Sequence, residues 1–110
     1  MQRKRVVITG LSAITPLGGN YVESWDNLLA GKSGIAPITA FDASEFAARI
    51  AGEVKDFDPE KYGVPAKAAK RMDRFVQIRS AGGLEVLKDA NYTVSDAHAT
   101  RPARLLAGGP

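Results

Sequence analysis

A chain of 110 residues is long enough for one small domain or part of one. Its 45% hydrophobic and 25% charged content is that of a soluble globular protein and excludes a disordered tract. The absence of cysteine excludes a disulfide framework, a thiolate metal site and a thiol nucleophile, while 15 basic against 12 acidic residues, a net charge of +3, favour an anionic partner without identifying one.

The opening MQRKRVVITG is basic and then briefly apolar, too short a run for a signal-peptide core. No stretch approaches the roughly 18 apolar residues of a membrane span, so a cytoplasmic location is expected. Arg5–Thr9 is β-branched and continuously apolar, which predicts a strand buried on both faces. A loop with Pro16, Gly18 and Gly19 follows. Asn20 and Glu23 are spaced as a capping box, and Val22, Trp25, Leu28 and Leu29 recur at helical spacing up to a stop at Gly31. Gly34–Phe46, interrupted by Pro37, reads as irregular. Arg49–Val54 predicts a short strand with Ile50 and Val54 on one face, and Asp56–Pro65 a loop.

The spacing of Met72, Phe75, Val76, Gly83, Val86, Leu87 and Ala90 predicts one long helix over Ala66–Ala90, ended by Asn91. Gly82 and Gly83 weaken it unless they allow close packing. In the tail from Thr93 to Pro110, Leu105–Ala107 hint at a last strand, against which Pro102 and Arg104 argue.

Candidate chemistry is sparse. A strand ending in Thr-Gly also begins short-chain dehydrogenases, where glycines admit a dinucleotide pyrophosphate. Here Ile14 and Pro16 stand where that pattern needs glycine, so a structural turn is the better reading. Lys67, Lys70, Arg71 and Arg74 fall on one face of the expected helix, with Asp73 the only acid among them. Such a face is either simply solvated or a docking surface for an acidic partner. His98 has no companion, no Gly-x-Ser-x-Gly elbow surrounds any serine, and Asp56, Asp58 and Glu60 lack the rest of a calcium loop. No catalytic residue, cofactor site or metal site is assigned.

Five segments in order (RVVITGL with TPLG, W-x-x-LLAGKSGI, FDAS-x-F, AGEVKDFDPE and RMDRFVQ) resemble the β-ketoacyl-acyl-carrier-protein synthases of type II fatty-acid synthesis. The resemblance covers roughly residues 3–92; residues 1–92 are expected to be the N-terminal part of that family's first domain and 93–110 a divergent tail. It implies an α/β architecture, an incomplete N-terminal half of a thiolase-like fold. Its elements would be a strand, a short helix, a short strand, a long helix and a doubtful last strand.

The family carries out a decarboxylative Claisen condensation. A cysteine at a helix N-terminus takes the acyl chain, and two histidines assist decarboxylation and oxyanion stabilisation. Those groups are expected beyond Pro110, and His98 matches neither histidine. The resemblance implies acyl carrier protein as partner, a homodimer for full-length members, no cofactor, and neither nucleic acid nor membrane. Family docking residues match Lys67, Lys70 and Arg71; Arg74 extends the face without a matching family contact. Two departures stand out. Arg79 occupies a position where the family has a small packed residue, and the tail keeps only the outline of the family's strand. The expected function is an inactive fragment of a condensing enzyme, with a non-catalytic carrier-binding module and a dehydrogenase as alternatives.

Overall fold

The computed structural model describes residues 2–98. Helix α1 spans Tyr21–Leu29, strand β1 Ile35–Pro37, strand β2 Ile50–Gly52, helix α2 Ala66–Ala69 and helix α3 Arg74–Asp89, with short 3-10 turns at Pro59–Tyr62 and Asp96–His98. The arrangement is α/β with a small sheet. The tail features at Pro102, Arg104 and Leu105–Ala107 lie outside the described residues.

Local chemistry sets the helix ends. Asn20 Oδ1 accepts from the Glu23 amide at 2.9 Å, while Glu23 Oε2 accepts from the Gly19 amide at 3.0 Å. This is the expected box, reaching one residue further back than the usual form. Gly31, at φ 71°, lets its own amide and that of Lys32 bond the Leu28 and Asn27 carbonyls. Asn91, at φ 49°, does the same for α3 through Lys88 and Leu87. Both ends satisfy carbonyls that a helix otherwise leaves open, and both stops fall where the sequence places them.

Three expectations need correction. Residues 5–9 pair with no described strand, and Val6, Val7 and Ile8 are 92%, 68% and 87% exposed. A strand requires a neighbour's carbonyls and amides, and a β-branched sequence cannot supply them alone. Second, the stretch read as irregular contains β1, which pairs antiparallel with β2 in the register Ile35↔Gly52, Ala36↔Ala51, Pro37↔Ile50. Pro37 ends the strand, and the ladder passes to the next amide, Ile38 N to Arg49 O at 2.9 Å. Strand β2 exists as expected but is shorter; it stops at Gly52, with Ile50 exposed and Ala51 half-buried.

Third, the long helix is two. The amides of Arg71 and Met72 bond the Ala68 and Ala69 carbonyls at 3.0 Å, which tightens the last turn of α2. Asp73 then takes an extended conformation (φ −63°, ψ 155°) before α3 begins. Periodicity is nearly blind to this break, because a one-turn interruption leaves the apolar residues on similar faces.

The core is small. Val64, Ala69 and Ala81 are buried, with Ile14, Phe57, Tyr62, Met72 and Leu84 packed against them. Residues 10–12 run along α3. A Cβ on Gly10 would stand 2.7 Å from Val86 O, and Ser12 Oγ donates to Gly82 O at 2.9 Å. Gly82 therefore does permit close packing. Arg79 is half-buried, and no buried polar side-chain atom among the described residues lacks a partner, so its guanidinium is not an uncompensated buried charge.

Candidate docking face

The Thr15–Gly18 turn closes on itself. Thr15 N donates to Gly18 O at 2.9 Å and Gly18 N to Thr15 O at 3.2 Å. Thr15 Oγ1 also accepts from the Leu17 amide at 3.1 Å and lies 2.7 Å from Ser24 Oγ. Pro16 fills the space over the sheet, since a Cβ on Gly34 or Gly52 would meet its ring at 2.8 or 2.9 Å. A phosphate cradle needs free amides and no nearby anion. Here the amides of Leu17, Gly18 and Gly19 are all engaged, the last by the Glu23 carboxylate. The loop is a structural turn, and a nucleotide site on it has no physical basis.

Of the loop carboxylates, Asp58 is structural. Asp58 Oδ1 accepts from the Glu60 amide at 3.0 Å and opens the 3-10 turn that Gly63, at φ 90°, closes. Among the described residues no cluster of His, Cys, Asp and Glu could hold a metal ion.

The basic residues are divided by the helix break. Lys67 lies in α2, Lys70 caps its C-terminus, and Arg71 follows in the connecting turn. All three are exposed, and no hydrogen bond or ion pair holds their side chains among the described residues. Lys67 and Arg71 border a shallow apolar depression formed with Pro65, Ala68 and Met72. Arg74 stands apart. As the first residue of α3, it donates from Nη2 to Val54 O at 2.7 Å, with its guanidinium 5.7 Å above the Phe57 ring. One helix does not carry all four charges. The structure groups Lys67, Lys70 and Arg71 and turns Arg74 toward the segment that precedes the 3-10 turn.

Several residues that organise this region carry no signal in local spacing. Tyr62 donates to Gly19 O at 2.6 Å and stacks on Phe57 at 5.5 Å, and its burial, then the Glu85 and Glu23 carboxylates, hold its phenol above the ordinary value. Tyr21 donates to Asp89 Oδ1 at 3.2 Å, and that carboxylate raises its pKa. Gln77 Nε2 donates to Ala69 O at 2.8 Å and Met72 O at 3.2 Å. Each bond joins groups on different elements, so only the folded arrangement reveals it.

Residues 3–109 match the family described as beta-ketoacyl synthase, N-terminal domain. The chain belongs to the β-ketoacyl synthase family. It is 42% identical over 109 residues to 3-oxoacyl-[acyl-carrier-protein] synthase 2 of Synechocystis sp., and 40% identical over 109 residues to the protein of that name from Coxiella burnetii. Each match takes in 99% of this chain and 26% of the relative, so the chain spans about a quarter of their length. Among solved structures it is similar to the ishigamide ketosynthase/chain length factor, with a TM-score of 0.72 and 37% identity over 84% of this chain and 23% of that one.

Proposed function

We propose that this chain is the carrier-docking part of a 3-oxoacyl-[acyl-carrier-protein] synthase, with Lys67, Lys70 and Arg71 facing the acidic carrier protein and Arg74 at the edge of that face. The observation that carries the reading is the family match together with exposed cationic side chains at Lys67, Lys70 and Arg71 that no hydrogen bond or ion pair holds among the described residues. Arg74, by contrast, is held by its own chain through Val54 O. Lys67, Lys70 and Arg71, exposed and unpaired among the described residues, stay available to steer and orient an anionic partner. The apolar depression between Lys67 and Arg71 suits a partner surface that sets one apolar side chain among its acids.

The parent chemistry under this reading is decarboxylative condensation of acyl- and malonyl-carrier protein on a thiolase-like, homodimeric, cytoplasmic enzyme. The chain itself is inactive, because it has no cysteine to form the acyl thioester. A self-sufficient binding module is the weaker alternative. Val6, Val7 and Ile8 stand open to water, and burying such side chains would stabilise a fold by about 1.5–3 kcal/mol each.

The test is a titration of acyl carrier protein against the chain and a Lys70→Glu, Arg71→Glu variant. Saturable binding by the first and its loss in the second is expected. Equal binding by both would remove the docking reading, and turnover in an elongation assay would remove the claim of inactivity.

A further inference from the structure

We infer that Gln77 is the positioning residue of the cationic face, a latch that fixes Lys70 and Arg71 by holding the carbonyls on either side of them. The positioning role rests on the docking reading above; the latch itself rests on hydrogen-bond geometry.

Helix α2 has 4 residues, too few to persist by its own propagation. Its closing carbonyls need partners, as at any helix end. The Lys70 amide takes Ala66 O at 3.1 Å, the Arg71 amide takes Ala68 O at 3.0 Å, and the Met72 amide takes Ala69 O at 3.0 Å. Gln77 adds a second donor to Ala69 O and a donor to Met72 O. Its Nε2 donates to Ala69 O at 2.8 Å and to Met72 O at 3.2 Å. A primary amide nitrogen carries two hydrogens, so both are committed.

Ala69 and Met72 directly flank Lys70 and Arg71. With both carbonyls held, the peptide units that carry the two cations cannot rotate freely. The backbone amide of Gln77 meanwhile bonds Asp73 O at 3.0 Å and builds the first turn of α3. Gln77 thus belongs to α3 through its backbone and to the end of α2 through its side chain. Freeing the latch leaves every charge in place but unfixes its direction. Complementary charges fix the register of a complex, so cations no longer held in direction orient an acidic partner less well.

The experiment compares the chain with Gln77→Met, which keeps length and loses both donors, and Gln77→Glu, which keeps polarity but offers no donor when ionised. Residue-resolved amide exchange is read at Lys70, Arg71 and Met72, with Leu87–Ala90 at the far end of α3 as the internal reference. Loss of the bonds should speed exchange at the three amides about fivefold with the reference unchanged. Binding of acyl carrier protein should then weaken, its dissociation constant rising by about threefold to tenfold.

Unchanged exchange at those amides in both variants would overturn the latch. Faster local exchange with undiminished carrier binding would overturn the positioning role. Equal acceleration at the reference would mean global destabilisation and would also overturn it. Should the Lys70→Glu, Arg71→Glu variant bind as well as the unsubstituted chain, the docking reading fails on that result, and the exchange data still decide the latch.

Discussion

Replacing Tyr62 with phenylalanine removes one oxygen and tests the tie between the entrance of α1 and the core. The hydroxyl donates to Gly19 O at 2.6 Å, and the bond spans 43 residues of sequence. The phenylalanine ring can keep the 5.5 Å stack on Phe57, so the loss is confined to the hydrogen bond. Leaving a half-buried carbonyl without its donor costs about 1–1.5 kcal/mol, roughly a fivefold or larger change in the folding equilibrium. With a urea dependence of about 1.5 kcal/mol/M, the midpoint should fall by about 0.7–1 M.

The pH dependence adds an independent check. Burial and the Glu85 and Glu23 carboxylates raise the Tyr62 pKa above its ordinary value of 10.0. The folded state therefore favours the neutral phenol. That stabilisation is complete below the unfolded value and is lost as pH rises through the folded one. Urea titrations of both proteins, followed by Trp25 fluorescence, should show a gap at about pH 8 that narrows above about pH 10. Tyr21 titrates in both proteins and cancels from the difference. No gap near neutrality, or one that stays constant through the alkaline range, would refute the reasoning.

Glu53 gives the acid-side counterpart. Its carboxylate accepts from Thr39 Oγ1 at 2.8 Å and from the Ala40 and Thr39 amides, which lower its pKa from 4.5. This contribution is present above the unfolded value and is lost as pH falls through the folded one, so Glu53→Gln should flatten the acid limb of the stability curve. An unaltered acid limb would count against that carboxylate as a loop clamp. Gly18→Ala would bring a Cβ to 2.8 Å from the Ser24 amide nitrogen, a backbone atom that cannot yield cheaply. It should destabilise the chain by about 1–3 kcal/mol in thermal unfolding, and a neutral result would show the turn to be more pliable than its contacts imply.

What the sequence made legible was local. Asn20 with Glu23, Gly31 and Asn91 act within a few residues of themselves, and each cap forms near where spacing placed it. The short strand after Arg49 was also readable, but its partner at Ile35–Pro37 was not, since Pro37 reads as a breaker unless the end of a ladder is known to lie there. The division of the long helix escaped for a related reason. The end of α2 is held by Gln77 from α3, a tertiary bond that periodicity does not encode. The basic residues were legible as a group, but their grouping was not. Only the Val54 carbonyl and the Phe57 ring reveal why Arg74 parts from Lys67, Lys70 and Arg71.

The two halves of the described chain differ in how far they depend on distant partners. The 3-10 turn contacts both α2 and α3, and the buried cluster of Val64, Ala69 and Ala81 lies among these elements, so the cations stand beside a packed cluster. The Val6–Ile8 segment requires strands that the described residues do not provide. Recognition of an acidic partner asks only for charges held in place, which Gln77 and the turn around Lys70 supply locally. Condensation asks for a thiolate and for donors aimed at an oxyanion, a non-local constellation. Under the proposed function, recognition is thus the part of the family's work whose geometry is held locally, with fixed geometry at Lys70 and Arg71 as its physical condition.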